Sequence, residues 1–376
     1  MFSPSSVETS QSLISSATKK PSRRSILRVT ATASTLWTCA PFVHAQSKTS
    51  NKTIVGQGEF TFELIHQCVS LPAPFHWQIT HNVAVDREDN LYVIHEGNKE
   101  LKEHPSIFVF DAAGKYIRSF APQFQGGGHG LEVRLENGEE FLYVTGYQDV
   151  KMFAKLTPKG DIVWERRAPI ESRAYHPDEL KEPKNVFARD RFQPTNFAFL
   201  DDGGFLLADG YGAWKIHRYD KDARWLSCFG GAGTGQGTFN TPHGLWIDKR
   251  DPKNQKIIVA DRAHHILQIF DLNGVYLETL TGFGLPANVD SQGELILVPE
   301  LVARVTLLGK DNQVVAHFGD DVARISADKK KTIRGDETQW QDGKFVHPHD
   351  ACFDSQGNIF VAEWVSTGRI SKLRKI

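Results

Sequence analysis

The chain has 376 residues, of which 40% are hydrophobic and 24% charged, with 31 Gly and 17 Pro, a composition that excludes collagenous, coiled-coil and wholly disordered proteins. Forty-four basic residues against 45 acidic ones give a formal charge of −1, which removes any global electrostatic case for nucleic acid or an anionic membrane surface. Twenty-four Phe, 8 Trp and 8 Tyr against 2 Met make the apolar content aromatic, which suits sheets and points to an all-β protein.

The first 45 residues read as an address and not as part of the fold. Ser22-Arg23-Arg24-Ser25-Ile26-Leu27 resembles a twin-arginine export signal. An apolar stretch from Val29 to Val43 and the small-residue site Val43-His44-Ala45 follow in the order of a cleaved leader. The expected organisation is a signal peptide over 1–45, a linker over 46–58 and a folded domain over 59–376, with a periplasmic or secreted destination. After cleavage 39 basic and 44 acidic residues remain, a formal charge of −5. Cys39 leaves with the signal, and Cys68, Cys228 and Cys352 cannot all pair within one chain. No stretch approaches the roughly 20 apolar residues of a membrane span, so no span is expected.

Beyond the leader, one pattern recurs six times: a polar turn, a β-run, an Asp-Gly type turn and a second β-run. The copies open at His81-Asn-Val-Ala-Val-Asp86, His129-Gly-Leu-Glu-Val133, Gln193-Pro-Thr-Asn-Phe197, His243-Gly-Leu-Trp-Ile-Asp248, Leu285-Pro-Ala-Asn-Val-Asp290 and His349-Asp-Ala-Cys-Phe-Asp354. Second strands follow, as in Asn90-Leu-Tyr-Val-Ile94 and Asn358-Ile-Phe-Val-Ala362, and tight turns such as Asp271-Leu-Asn-Gly274 introduce the rest. Four strands per copy and six copies predict a six-bladed β-propeller. The last copy has room for about three strands, so the run Glu59-Phe-Thr-Phe-Glu-Leu-Ile65 is expected to close the ring. The longest insertions, Pro169 to Arg191 and Asp320 to Lys344, are candidates for the rim of the central channel. Gly230 to Gly237 lacks the Lys-Ser/Thr ending of a phosphate loop and reads as an interblade connection. No Ser-His-Asp elbow is found.

Blade starts face the channel, so their side chains converge on the axis. His129, His243 and His349 come from alternate blades and could meet there as a three-histidine metal site with an open coordination position. The same residues could instead bond neighbouring backbone at each turn, as His81 could in blade 1. The spacing alone leaves both open.

Phe239-Asn-Thr-Pro-His-Gly-Leu245, Val346-His-Pro-His-Asp350, Gln193-Pro-Thr-Asn196 and Ala208-Asp-Gly-Tyr-Gly212 together resemble the propeller of the peptidylamidoglycolate lyases, within the wider NHL-repeat group, over about residues 127 to 374. The resemblance implies Zn2+ on His129, His243 and His349. It further implies a general-base role for Tyr211, a substrate-anion contact for Arg262, and structural Ca2+ held by Asp350 and the carbonyl of Leu131. It implies cleavage of a carbinolamide N–C bond to an amide and glyoxylate; the expected partner is a small-molecule or peptide substrate, and the chain is expected to act as a monomer. His81 and His347 are candidates for an additional ligand. His347 stands where the family carries a methionine, and the family's flanking cysteines are absent. The alternative is a non-catalytic NHL-type propeller that binds a peptide, glycan or protein partner, since this fold hosts many functions.

Overall fold

In the computed structural model, residues 52–376 are described, and they form six antiparallel sheets arranged as the blades of a propeller. The leader expected over 1–45 lies outside the described residues. Blades 1 to 5 each contain four strands in sequence order. In blade 1 these are Thr80–Val85, Leu91–His95, Ile107–Phe110 and Tyr116–Phe120. The sixth blade has three strands from the C-terminal end, Pro348–Phe353, Ile359–Glu363 and Arg369–Lys375, and is completed by Phe60–Ile65, which pairs antiparallel with the last of them. This is the ring closure expected from the unpaired N-terminal run, and it leaves no edge open at the seam.

One boundary is corrected. Residues 46–58 are not linker throughout, because Ile54–Gln57 forms a fifth strand in blade 6, turned back on Phe60–Ile65. The hairpin turns at Gly58, which takes φ 58° with nothing within 4 Å of where a Cβ would stand. Mostly exposed residues in Ile54–Gln57 hid this strand, since an outer strand has little core to bury.

The third strand of blade 1, Ile107-Phe-Val-Phe110, is buried at every position. A strand with a blade on either side has no solvent face, so its apolar pattern is continuous. Six apolar clusters fill the six interfaces between blades, for example Ile94, Val109, Phe124, Leu142 and Val144 between blades 1 and 2. Fully buried Phe108, Phe153, Phe205 and Phe270 dominate these interfaces, each contributing roughly 1.5–3 kcal/mol. A seventh, smaller cluster of Ala303, Ile325, Ile333, Val346 and Val365 lies under the insertion from Asp320 to Lys344. That insertion carries the short helix Val322–Ala327. Among the described residues no helix is long and apolar enough to cross a membrane.

The inner strands of blades 3 and 5 are short, Phe197–Phe199 and Asp290–Gln292, although Pro286 still bridges Glu300 as Pro242 pairs with Asp261 in blade 4. The inner strands of blades 1, 2, 4 and 6 instead carry an irregularity at their histidines. Register skips from Thr80 to Asn82, Gly128 to Leu131, Pro242 to Gly244 and Pro348 to Asp350. His81, His129, His243 and His349 each fall within such a bulge. A bulge leaves a residue out of the ladder and re-aims its side chain.

Candidate metal centre

Each bulged histidine uses Nδ1 to reach the following blade. His81 Nδ1 lies 2.9 Å from Gly128 O, His129 Nδ1 3.0 Å from Thr195 O, His243 Nδ1 2.6 Å from Ala287 O and His349 Nδ1 2.7 Å from His81 O. A carbonyl only accepts, so Nδ1 carries the proton and Nε2 of each neutral ring is left with a free lone pair. Burial holds His129, His243 and His349 well below the usual histidine range, with smaller contributions from neighbouring imidazoles and Arg262.

The ring nitrogens of His129, His243 and His349 all lie within 4.8 Å of one another, and this is the only such cluster of His, Cys, Asp or Glu among the described residues. His129 Nε2 and His243 Nε2 are 3.1 Å apart with no proton available between them, and His349 Nε2 is buried without a partner. Converging lone pairs repel, and an orphaned buried acceptor is unfavourable by about 1–3 kcal/mol. A cation at their meeting point removes both penalties. The residues therefore fit a metal, and the backbone carbonyls on Nδ1 fix the tautomer that a metal requires.

The four turns that hold the centre are close-packed. A Cβ added at Gly244 would overlap the Asn288 backbone and stand 2.6 Å from Ala287 O, the acceptor of His243. Gly244→Ala is expected to destabilise the protein by roughly 1–3 kcal/mol, as overpacked sites do, and to weaken metal retention. A thermal melt within a degree of the wild type would contradict this.

Tyr211 and Arg262 stand on the turns that end the second strands of blades 3 and 4. Asp209 shapes the first turn, accepting from Gln193 N at 2.7 Å and Ala213 N at 2.6 Å. Asp261 shapes the second, accepting from Asn240 N at 2.8 Å and Gln268 Nε2 at 2.8 Å. Tyr211 Oη sits 3.0 Å from His243 Nε2, and Arg262 Nη1 donates to the same oxygen at 2.9 Å. The two residues singled out from the sequence are thus joined to each other and to the histidine cluster.

His81 and His347 fall outside that cluster. The His81 ring packs 4.7 Å from His129 and 4.6 Å from His349, yet its Nε2 faces Glu96 Oε2 at 3.6 Å. His347 Nδ1 donates to Leu301 O at 2.5 Å. His264, next to Arg262, is taken up by Asp261 at 2.7 Å.

Three neighbours were not singled out from the sequence. Tyr147 stacks on Tyr211 with centroids 5.3 Å apart and donates to Glu96 Oε2 at 2.7 Å. Phe187, 56% exposed on the insertion from Pro169 to Arg191, packs 5.3 Å from Tyr211. Arg189 fixes that insertion over the site by donating to Tyr211 O at 3.1 Å. Aligning the repeats would have found Tyr147, because Gly146-Tyr147 in blade 2 corresponds to Gly210-Tyr211 in blade 3. The position of Phe187 has no such signal.

Asp350 points elsewhere. Its Oδ2 accepts from Val83 N at 2.8 Å and its Oδ1 from Asn288 Nδ2 at 2.5 Å. It lines a cavity of about 120 Å³ with Glu132, Asn288 and Asp290, and no Lys, Arg or His is among the lining residues. Burial and mutual repulsion push Asp350 up to about 7, burial pushes Asp290 up to about 6, and Glu132 is raised as well. Uncompensated carboxylates of this kind fit a hard divalent cation. Leu131, whose carbonyl was the second expected contact, has a fully buried side chain in the interface with blade 1.

No protein-family model matches the chain. Peptidyl-alpha-hydroxyglycine alpha-amidating lyase 1 of Drosophila melanogaster is 26% identical over 294 residues, which cover 70% of this chain and 47% of that protein. The chain resembles an amidating lyase. It spans about half the length of that curated relative. Among solved structures, a catalytically inactive virginiamycin B lyase from Staphylococcus aureus with quinupristin matches with a TM-score of 0.51 at 14% identity, covering 84% of this chain and 100% of that one. A gluconolactonase from Xanthomonas campestris matches with a TM-score of 0.53 at 10% identity, covering 86% and 95% respectively. These two likenesses establish the propeller architecture.

Proposed function

We propose that the protein is an exported zinc-dependent lyase that cleaves the N–C bond of a carbinolamide, a peptidyl-hydroxyglycine-like substrate, into an amide and glyoxylate. The observation that carries this reading is the convergence of three Nε2 lone pairs beside Tyr211 Oη. Three imidazoles at the 2.0–2.1 Å of Zn–N bonds in tetrahedral geometry stand about 3.3 Å from one another, close to the 3.1 Å between His129 and His243. Zn2+ held there supplies Lewis acidity toward the substrate's oxygen atoms.

The residues of the chain perform the rest. Tyr211, as phenolate, takes the proton of the α-hydroxyl while the carbon–nitrogen bond breaks and the C=O of glyoxylate forms. The departing amide nitrogen takes that same proton from Tyr211, which balances the reaction and restores the phenolate. A negative charge on Tyr211 Oη lies against the Arg262 guanidinium, which also sits 4.9 Å from the centre of its ring. Phe187 and Tyr147 cover Tyr211 from solvent on one side, which strengthens these interactions by excluding water. Incubation of zinc-replete protein with N-benzoyl-α-hydroxyglycine tests the reading, with benzamide and glyoxylate expected in equal amounts. A metal-loaded protein that forms neither product leaves a binding propeller in its place.

We assign Ca2+ to the acidic cavity, with Asp350 as the principal ligand and the carbonyl of Leu131 as the second contact carried by the resemblance. After chelation, calcium is expected to raise the melting temperature of the wild type. The stabilisation is about 2.7 kcal/mol when free calcium is 100-fold above Kd. Asp350→Asn is expected to lose that response, and an unchanged calcium shift in the variant would refute the assignment. Export by the twin-arginine route to the periplasm or medium is proposed from the leader sequence alone.

A further inference from the structure

Arg334 lies on the insertion from Asp320 to Lys344 and plays no part in the chemistry above. Its guanidinium lies 3.5 Å from the centre of the Trp364 ring, and its Nε donates to Trp364 O at 3.0 Å. Trp364 directly follows the second strand of blade 6, and its N–H donates to His347 O at 2.8 Å, two residues before the ligand candidate His349. The preceding residue, Ile333, is buried with Ile325, Val346 and Val365, and its carbonyl accepts from Trp340 Nε1 at 2.8 Å. The guanidinium is therefore fixed by a packed base, a ring face and one backbone acceptor.

Its remaining donors are not used in the same way. Nη2 is buried without a partner, and no carboxylate of the described residues forms an ion pair with it, although Lys331 adds a second cation 5.3 Å from the same Trp364 ring. Burial lowers the affinity of Arg334 for its proton, while the nearby charge of Glu96 opposes that effect. A pre-oriented guanidinium with an unsatisfied arm, within electrostatic reach of Glu96 and of the Tyr147 that stacks on Tyr211, is arranged for bidentate contact with a planar anion. Arg262, in contrast, already donates through Nη1 to Tyr211.

We propose that Arg334 is the specificity-determining contact for the carboxylate of the substrate, with Arg262 serving the ionised Tyr211. The inference rests on the lyase reading for the identity of the anion. It selects substrates with a free carboxylate on the hydroxyl-bearing carbon and rejects the corresponding amides.

Titration calorimetry with N-benzoylglycine, which has the carboxylate but no hydroxyl to react, and with N-benzoylglycinamide separates the two ideas. The wild type is expected to favour the acid. Arg334→Met is expected to weaken the acid by on the order of tenfold or more without changing the amide, and Arg334→Lys to fall between, since it keeps the charge and loses the fork. With N-benzoyl-α-hydroxyglycine, KM should rise by a similar factor while kcat changes little. Equal binding of acid and amide by the wild type overturns the proposal, as does Arg334→Met binding the acid like the wild type. Arg334-dependent binding of the acid in a protein that forms no benzamide would defeat the lyase reading alone, and turnover with an Arg334-independent KM would defeat this inference alone.

Discussion

His243→Ala is expected to lower turnover of a hydroxyglycine substrate by on the order of a thousandfold or more and to abolish stoichiometric metal binding. A ligand-held metal contributes several kcal/mol to stabilising developing charge, and each 1.36 kcal/mol is a factor of ten in rate. His243 is the ligand candidate nearest both other parts of the site, with Nε2 3.1 Å from His129 Nε2 and 3.0 Å from Tyr211 Oη. Its loss also frees Ala287 O in the next blade, so some loss of stability accompanies it. His81→Ala separates the two effects. It removes an equivalent interblade bond, to Gly128 O, from a histidine outside the cluster, and is expected to keep its metal. Loss of metal in both variants, or in neither, would contradict the assignment.

Tyr211→Phe is expected to lower kcat by roughly 10²–10⁴, the range of a general base, with metal content unchanged. The ring remains, so its packing against Tyr147 and Phe187 is retained and the variant isolates the oxygen. That oxygen is contacted by His243 Nε2 and Arg262 Nη1 alone among the described residues, and neither contact is structural in the way that Asp209 or Asp261 is. A kcat within a factor of five of the wild type would remove Tyr211 from the chemistry. A variant that loses its metal would make Tyr211 a prop for His243 instead.

The architecture was legible because a blade is a short repeat whose starts, turns and second strands are marked by the same residue types six times. His129, His243 and His349 could be proposed from spacing because a closed ring turns equivalent sequence positions into neighbours. The spacing did not reveal why a histidine at a strand start reaches the axis. That depends on the bulges at Pro242 to Gly244 and Pro348 to Asp350, which are visible only once the second strands are paired. Nor could it separate His81 from the other three, since all four make the same Nδ1 bond and only the placement of Glu96 distinguishes the first. Phe187 and Arg334 come from insertions without a repeat to align, and their positions are set by contacts far along the chain. The extra strand Ile54–Gln57 escaped notice because an exposed outer strand carries almost no apolar periodicity.

Elemental analysis of the purified wild-type protein, folded in zinc-replete medium, tests the central claim most directly. About one zinc per chain is expected from a single three-histidine centre. The absence of any stoichiometric transition metal would contradict it, leaving the converging lone pairs of His129, His243 and His349 without a cation and the catalytic account without its centre.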